Sequence, residues 1–419
     1  MSKLYDLFTD HPQVVTDTRK IEPDALFFAL KGETFDGNHF AIEALKQGAA
    51  FAIIDDPAVK EAHPEVGDQL ILVDDALVAL QDLAREHRLE LAIPILGIVG
   101  SNGKTTTKEL VSRVLSEQFE IYATQGNLNN HIGVPLTLLS MTRDIEFGVV
   151  EMGASACGEI AFLCSIAQPN YGIITNIGRA HLEGFGGPEG VRRGKGELFD
   201  YLSANGGRAF VPQEDAILVA MAAERKCLAV ESYSVSLADH IANHLEGAYN
   251  RSNIAAAMAV GLYFDIHEER IRHAVSSYVP SNNRSQRTET ARNTLILDCY
   301  NANPSSMQAA IENFQHEPIT YRQHKMLILG DMLELGAWSA VEHTLIIRQA
   351  ASDPNTEIIL VGTHFSTAFR ALDEPPAQTT LFPSCIELIA FLTKRKVADR
   401  LILIKGSHSI GLEKCATYL

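Results

Sequence analysis

The sequence predicts an α/β protein of three domains: a small α/β N-terminal domain, a central parallel-sheet domain and a C-terminal α/β domain. The chain has 419 residues, and at ~150 residues per domain this length divides into about three compact units. Apolar strand-like runs alternate with helical stretches, which is typical of parallel sheets covered by helices. The hydrophobic fraction of 46% and the charged fraction of 21% are those of a globular protein rather than a disordered one.

Charge balance and cysteine usage limit the kind of partner and the compartment. Lys and Arg total 35 against 52 Asp and Glu, so the formal net charge is −17, which disfavours nucleic acid and anionic membranes as partners. The cysteines are scattered without a CxxC pair, as in a reducing compartment. No apolar run approaches the ~20 residues of a membrane span. We therefore expect a cytoplasmic protein, a monomer, that neither binds nucleic acid nor inserts into a membrane.

The first domain is predicted over residues 1–92. Short apolar runs at 25–30, 51–55 and 69–74 are typical of strands. Residues 76–91 have apolar side chains at helical spacing, and a new apolar run begins after their charged end. We place the domain boundary at that point.

The central domain is predicted over residues 93–282. Its pattern is a strand at 95–99, a glycine turn at 100–103, an amphipathic helix and a strand at 147–150. An apolar helix of small residues at 254–264 precedes a turn-rich end. This alternation predicts a mostly parallel sheet with helices on both faces.

The third domain is predicted over residues 283–419, where the alternation restarts. Its features are strand-like runs at 294–297, 326–329, 358–361 and 401–404, separated by helical segments at 305–314 and 340–350. This pattern predicts a Rossmann-like α/β domain.

The turn after the strand at 95–99 has the strongest functional signal. It reads Gly100, Ser101, Asn102, Gly103, Lys104, Thr105 and Thr106. Backbone N–H groups at a helix N-terminus face anions, Lys104 can neutralise phosphate charge, and the Thr105 hydroxyl can bind Mg²⁺. Because Ile98 stands where the strict G-x-x-x-x-G-K-[ST] pattern has its first glycine, the turn is a variant. We expect a P-loop-type domain that binds a triphosphate; a turn that merely connects strand and helix is the less favoured alternative.

Polar side chains also follow other predicted strands. Glu151, His181 and Asp298 each stand at or after the carboxyl end of an apolar run, where ligands gather in parallel sheets. From the residues alone, exposed or locally capping side chains explain them equally well, with Ser305 as the candidate N-cap of the next helix. Lys195 alone is typical of an exposed helix start.

Together these stretches resemble the ATP-dependent Mur ligases of peptidoglycan synthesis. The resemblance covers nearly the whole chain and rests on residues 17–19, 31–38, 100–107, 126–135, 151–154, 175–183, 298–307, 329–336 and 405–407. One such segment alone is weak evidence for the resemblance. The order and spacing of all of them across three domains is strong evidence for it. Residues 127–135 and 300–304 are most similar to the members that add D-alanyl-D-alanine.

The resemblance implies an amide ligase. ATP would phosphorylate the terminal carboxylate of UDP-N-acetylmuramoyl-tripeptide, and the amine of D-alanyl-D-alanine would then attack the acyl phosphate, releasing phosphate. Because a carboxylate attacking a triphosphate brings anions together, Lys104 and two Mg²⁺ ions are expected to screen them.

The resemblance also implies a role for each site residue. Lys104, His181 and Lys195 would be catalytic; Thr105 and Glu151 would hold one Mg²⁺, and His181 with a carbamylated Lys195 would hold the second. The ATP-binding residues would be Gly100, Ser101, Asn102, Gly103, Lys104, Thr105, Thr106, Asn250, Asn253, Arg284 and Asp298, with Tyr249 standing where the family commonly has histidine. Contacts to the UDP-sugar and the peptide would come from Thr18, Arg19, Lys31, Thr34, Asn127, Asn129, Asn130 and Asn301.

Other interpretations stay open at this stage. A sibling ligase would add a single amino acid, and a folyl-polyglutamate-type ligase would share the central and third domains, although the N-terminal domain argues against it. A P-loop NTPase that makes no bond would release phosphate without either co-substrate and would not need Arg284 and Asp298.

Overall fold

In the residues that the structure describes, the strands form three sheets that follow one another along the chain. The structure is a computed structural model that describes residues 2–245, 247, 249–280, 286–318 and 324–419. The predicted three-domain α/β fold class is confirmed. The predicted boundary at 92 and 93 falls between a helix and a strand, and the boundary at 282 and 283 lies outside the described residues; both boundaries stay predictions.

The first domain contains a parallel sheet. Its strands are β1 Val14–Val15, β2 Leu26–Phe28, β3 Phe51–Ile54 and β4 Leu70–Leu72, and its helices are α1 Lys3–Asp10, α2 Ala41–Lys46, α3 Pro57–Ala62 and α4 Ala76–Leu91. The strands lie in the order β1-β2-β3-β4. α4 has the predicted bounds because Asp75 caps its first turn, accepting a 2.9 Å hydrogen bond from the backbone N of Val78.

Helix α4 joins the first domain to the central domain. Arg88 is buried and donates to the carbonyl of Ala167 and to Oδ1 of Asn170, both at 3.0 Å. Gln81 donates to the carbonyl of His131 at 3.0 Å. These hydrogen bonds hold α4 against the central domain, each with a modest net contribution.

The central domain has a parallel sheet in which the later strands are added on opposite sides of the first one. Its strands are β5 Ile95–Val99, β6 Ile121–Ala123, β7 Phe147–Glu151, β8 Tyr171–Ile174, β9 Arg208–Pro212 and β10 Ala229–Tyr233; its helices are α5 Lys104–Leu115, α6 Gly133–Leu139, α7 Glu159–Ala167, α8 Leu182–Phe185, α9 Pro188–Ala204, α10 Ala216–Ala223, α11 Asn250–Tyr263 and α12 Glu268–Ser276. The order β10-β9-β8-β5-β7-β6 places β7 on one side of β5 and β8 on the other. Ligands bind in the crevice outside the carboxyl ends of strands at such a switch point.

The third domain has a mixed sheet. Its strands are β11 Gln286–Glu289, β12 Asn293–Asp298, β13 His324–Gly330, β14 Thr356–Val361, β15 Thr379–Phe382 and β16 Arg400–Lys405, and its helices are α13 Pro304–His316, α14 Ser339–Ala350, α15 Thr363–Arg370 and α16 Cys385–Lys394. The order is β11-β12-β16-β13-β14-β15, with β11 antiparallel. Asp298 and Lys405 are register partners at the ends of β12 and β16.

The structure corrects the predicted start of α13. Asn303, not Ser305, is its N-cap: Oδ1 of Asn303 accepts from the backbone N of Ser306 at 3.0 Å. Pro304 occupies the first helical position, where its missing N–H has no intrahelical partner to lose. The sequence pattern also missed the edge strands β1, β6, β10, β11 and β15, which are short or partly exposed and therefore leave no apolar run. It missed the inner strand β9 as well, which is mostly buried. No helix among the described residues is long and apolar enough to cross a membrane.

Candidate active site

Two glycines shape the turn between β5 and α5. Gly100 and Gly103 have φ values of 153° and 79°, which residues with a Cβ rarely adopt. A Cβ on Gly100 would lie 1.9 Å from Oγ1 of Thr175, and one on Gly103 would lie 2.6 Å from Oδ1 of Asn253. Both positions therefore require glycine, and the turn brings the N-terminus of α5 to the switch point.

This turn is fastened to the segment that follows β8. Oδ1 of Asn176 accepts from the backbone N of Asn102 at 3.0 Å, and Oγ of Ser101 accepts from the backbone N of Gly178 at 2.9 Å. Nζ of Lys104 donates to the carbonyl of Gly100 at 2.8 Å. An anion bound on the turn would therefore meet an ammonium group and the positive end of the α5 dipole.

Next to the turn, Thr105 and Glu151 form a buried pair of oxygen ligands. Oγ1 of Thr105 donates to Oε2 of Glu151 at 2.8 Å, and Nδ2 of Asn129 donates to Oε1 at 2.9 Å. Glu151 is only 2% exposed, so it is not the exposed strand-end acid of the alternative interpretation. Hydroxyl and carboxylate oxygens are ligands that suit Mg²⁺.

The neighbouring asparagines Asn127, Asn129 and Asn130 all line the cavity described below, and Asn130 also holds the start of a helix. Oδ1 of Asn130 accepts from the backbone N of Gly133 at 2.9 Å, at the start of α6. Asn127 is exposed and lines the cavity described below. Asn129 both holds Glu151 and lines that cavity.

Lys195 lies in the middle of α9 and is 1% exposed, so its interpretation as an exposed helix-start charge is wrong. Nζ donates to the carbonyl of Ala154 at 3.0 Å and lies 4.8 Å from the centroid of the Phe185 ring. Burial, followed by the charge of Lys104, lowers the pKa of Lys195 to about 7. A neutral amine is therefore accessible at physiological pH.

His181 meets the third domain. It follows β8 in a left-handed conformation with φ of 52°, and its Nδ1 is hydrogen-bonded to Oε2 of Glu334. This hydrogen bond lowers the pKa of Glu334. Among the described residues, no three His, Cys, Asp or Glu side chains cluster as a metal site.

The predicted ATP-binding residues Asn250 and Asn253 lie behind the turn at residues 100–106, which is called the phosphate turn below. Oδ1 of Asn253 accepts from Oγ1 of Thr107 at 3.1 Å, and its Nδ2 donates to Oδ1 of Asn250 at 2.8 Å. Both asparagines are buried, whereas Tyr249 is 39% exposed. The tyrosine ring thus presents a face on which a base can stack.

In the third domain, Lys405 is hydrogen-bonded to Asp298, one of the predicted ATP-binding residues. Its Nζ donates to Oδ2 of Asp298 at 2.6 Å and to the carbonyl of Asn301 at 3.1 Å, and the residue is 2% exposed. Arg284 lies outside the described residues.

A cavity of about 950 Å³ brings most of these groups together. The predicted residues that line it are Ser101, Asn102, Gly103, Lys104, Thr106, Asn127, Asn129, Asn130, Glu151, His181, Asn250, Asn253, Asp298 and Asn301. Gly100, Thr105 and Lys195 do not line it, although each contacts a residue that does. The cavity also contains groups that the sequence interpretation did not assign, namely Glu159, Asn176, Glu334 and Lys405. Glu334 and Lys405 lie in segments on which the resemblance to the family rests. Their position in those segments could have identified them as candidate site residues.

The predicted sugar-side residues of the first domain do not line this cavity; they are Thr18, Arg19, Lys31 and Thr34. They lie after the carboxyl ends of the adjacent strands β1 and β2. Lys31 is paired with Asp55 at 2.8 Å, and Arg19 with Asp17 at 2.7 Å. Arg19 lowers the pKa of Asp17 to about 2.

Comparison with known proteins assigns the three domains to one family. The profile of the Mur ligase family, catalytic domain, matches residues 13–88; the Mur ligase middle domain matches 98–257; and the Mur ligase, glutamate ligase domain, matches 283–408.

Similar proteins span most of the chain. A UDP-N-acetylmuramoyl-tripeptide–D-alanyl-D-alanine ligase of Bacillus subtilis (strain 168) is 38% identical over 342 residues, 77% of this chain and 74% of that protein. Its namesake in Escherichia coli (strain K12) is 31% identical over 429 residues, 96% of this chain and 92% of that protein. A crystal structure of MurF from Acinetobacter baumannii is 29% identical with a TM-score of 0.84, covering 97% of this chain and 92% of that one. Because relatives of this identity cover most of the chain, the chain belongs to the Mur ligase family of ATP-dependent ligases.

Proposed function

We propose that this protein joins D-alanyl-D-alanine to the terminal carboxylate of UDP-N-acetylmuramoyl-tripeptide, converting ATP to ADP and phosphate. The names of the curated relatives support this substrate pair. The single observation that carries the proposal is the cavity in which the phosphate turn of the central domain faces Asp298, Glu334 and Lys405 of the third domain. An NTPase that binds no other substrate does not need these third-domain residues in its site.

In the first step, a carboxylate oxygen of the tripeptide attacks the γ-phosphorus, and the bond from that phosphorus to the bridging oxygen breaks, leaving ADP. Lys104 and the N-terminus of α5 neutralise negative charge as it moves. In the second step the amine attacks the acyl carbon, the carbon–oxygen bond to phosphate breaks, and the nitrogen loses its proton. Asn250, Asn253, Arg284 and Asp298 are proposed to hold ATP.

The oxygens of Thr105 and Glu151 fit one Mg²⁺, since that ion takes one or two carboxylates together with phosphates and water. His181 and Lys195 would hold a second ion once Lys195 is carbamylated, because an ammonium group repels a cation. Its lowered pKa and its burial support addition of CO₂ to the neutral amine. When bound, Mg²⁺ neutralises phosphate charge.

The remaining site residues are proposed to bind the acyl substrate. Thr18, Arg19, Lys31 and Thr34 would hold the UDP-sugar, and Asn127, Asn129, Asn130 and Asn301 the sugar and peptide. The six cysteines are free thiols, which supports a cytoplasmic enzyme; we propose that it acts as a monomer.

Phosphate release tests the function. We expect release only when ATP, UDP-tripeptide and D-alanyl-D-alanine are all present, with one amide formed per phosphate. Release that ignores both co-substrates would identify an NTPase instead, and release with a single amino acid would identify a sibling ligase.

A variant tests the role of Lys195. Lys195→Ala should lower turnover roughly a hundredfold, and added formate or acetate should partly restore it by supplying a carboxylate. The exposed Lys226→Ala should behave like the wild type. A fully active Lys195→Ala enzyme would show that the metal role is misassigned.

A further inference from the structure

Among the described residues that line the cavity, Glu334 differs from the other carboxylates in how it is held. Each of the others is bound by a partner from its own domain. These pairs are Glu151 with Thr105, Asp298 with Lys405, and Glu159 with the backbone N of Ser155. Glu334 instead reaches across the domain interface to His181, and its side chain is 61% exposed. An exposed hydrogen bond of this kind contributes little stability, so a cation can replace this partner at low cost.

The backbone holds Glu334 in one position. Its φ of 61° is unusual for a residue with a side chain, and such conformations persist where the surrounding structure fixes them. The preceding residues are fixed by the third domain: the backbone N of Leu333 donates to Oγ of Ser407 at 3.2 Å, and that of Met332 to Nε2 of His343 at 3.1 Å. The carbonyl of Glu334 itself accepts from the backbone N of Glu183 at 3.3 Å. The backbone therefore presents the Glu334 side chain to the cavity from a fixed position.

The proposed reaction needs an anion at this place. The amine substrate arrives as an ammonium ion and has to reach an acyl phosphate formed beside Lys104, in a region whose other walls carry phosphate-binding cations. A carboxylate beside His181, in the cavity that the turn also lines, attracts the ammonium group and not the phosphate.

We propose that Glu334 is the residue that binds the ammonium group of the amine substrate. The proposal rests on the ligase function above and assigns to the third domain the recognition of the amine. Glu334 forms and breaks no covalent bond; it holds the nitrogen near the acyl carbon until the proton is lost.

Comparing two nucleophiles, D-alanyl-D-alanine and hydroxylamine, tests whether Glu334 binds the ammonium group. Hydroxylamine is uncharged near neutral pH and traps an acyl phosphate as a hydroxamate, so it does not need a carboxylate to bind it. We would measure D-alanyl-D-alanine ligation, and hydroxamate formation without the dipeptide, in the wild type, Glu334→Gln and Glu334→Asp. The matched control is Glu312→Gln, which removes the same charge from an exposed position on α13.

We expect the loss of activity in Glu334→Gln to be confined to the reaction with D-alanyl-D-alanine. In Glu334→Gln, kcat/KM for D-alanyl-D-alanine should fall roughly tenfold or more, while hydroxamate formation and KM for ATP stay unchanged. Glu334→Asp should recover part of the loss, and Glu312→Gln should match the wild type. Equal loss in both reactions would show that Glu334 acts on phosphorylation through His181, and no loss in either would show that it has no role; both overturn the proposal. A wild type that ligates no dipeptide would instead refute the proposed function, and this inference with it.

Discussion

Asn303 of the third domain donates a 2.7 Å hydrogen bond from Nδ2 to Oδ1 of Asn102 in the phosphate turn of the central domain. The other end of the same side chain caps α13, since Oδ1 accepts from the backbone N of Ser306. One buried amide therefore ties the start of a third-domain helix to the turn that is proposed to hold the triphosphate. This contact provides a direct route by which docking of the third domain can be sensed at the nucleotide.

Asn303→Asp should separate the two roles of this amide. Aspartate is an equally good N-cap, but it replaces the donor that faces Asn102 with an acceptor. We expect kcat/KM for ATP to fall roughly tenfold, as for loss of a buried hydrogen bond, and the midpoint of thermal unfolding to fall as well, because a buried carboxylate then faces an acceptor. Asn303→Ala loses the cap as well and should lower the free energy of unfolding by about 1 kcal/mol. Wild-type kinetics in Asn303→Asp would contradict a role for the contact in nucleotide binding.

Arg179 and Glu342 form a second contact between these domains. Nη1 of Arg179 lies 3.0 Å from Oε1 of Glu342, whose side chain is 4% exposed. Arg179→Ala should therefore leave a buried carboxylate without its partner and weaken docking by about 1–3 kcal/mol. Small-angle scattering should show a larger radius of gyration for this variant.

The double variant Arg179→Ala/Glu342→Gln controls for the charge. Because it removes the buried charge together with its partner, it should recover much of the docking. If the radius of gyration is the same in all three proteins, this pair does not hold the domains together.

Prediction from the sequence succeeded where the determining residues are contiguous. α4 and β5 have the predicted bounds because a run of apolar side chains at one period specifies each of them. The turn from Gly100 to Gly103 was predictable as a link between a strand and a helix because its residues are contiguous, whereas its binding of a triphosphate stays a prediction.

Features made by distant residues were not predictable from local pattern. The burial of Lys195 depends on Ala154 and Phe185, which other elements supply. His181 and Glu334 are 153 positions apart and meet only because two domains dock. A pattern read along the chain contains no information on such docking, so the resemblance to a family predicted a role for His181 but not its partner.

Lys104→Ala should abolish turnover and leave the fold intact. The side chain is partly buried over the turn and is proposed to compensate phosphate charge, so its loss should lower kcat roughly 10²–10³-fold or more, whereas the midpoint of thermal unfolding should hardly change. The exposed Lys46→Ala is the matched control and should retain full activity. Near-normal turnover in Lys104→Ala would refute the assignment of the phosphate turn.

Lys195 gives a test that depends on pH and not on activity. In the unfolded chain the lysine has its ordinary pKa of 10.5, and folding lowers the pKa to about 7. Between these values the unfolded chain binds more protons than the folded one, so the free energy of unfolding rises with pH across this window, and below the lower value the full penalty of a buried ammonium remains. Lys195→Met removes that penalty.

In buffer depleted of CO₂, Lys195→Met should therefore unfold at a higher temperature than the wild type. The difference should correspond to a few kcal/mol at about pH 6 and shrink towards about pH 9, where the folded wild type already holds a neutral amine. The exposed Lys46→Met should show no such pH-dependent gain. A variant that is less stable than the wild type at the lower pH would mean that Lys195 is held in the fold by compensating contacts and that its burial does not favour the neutral amine needed for carbamylation.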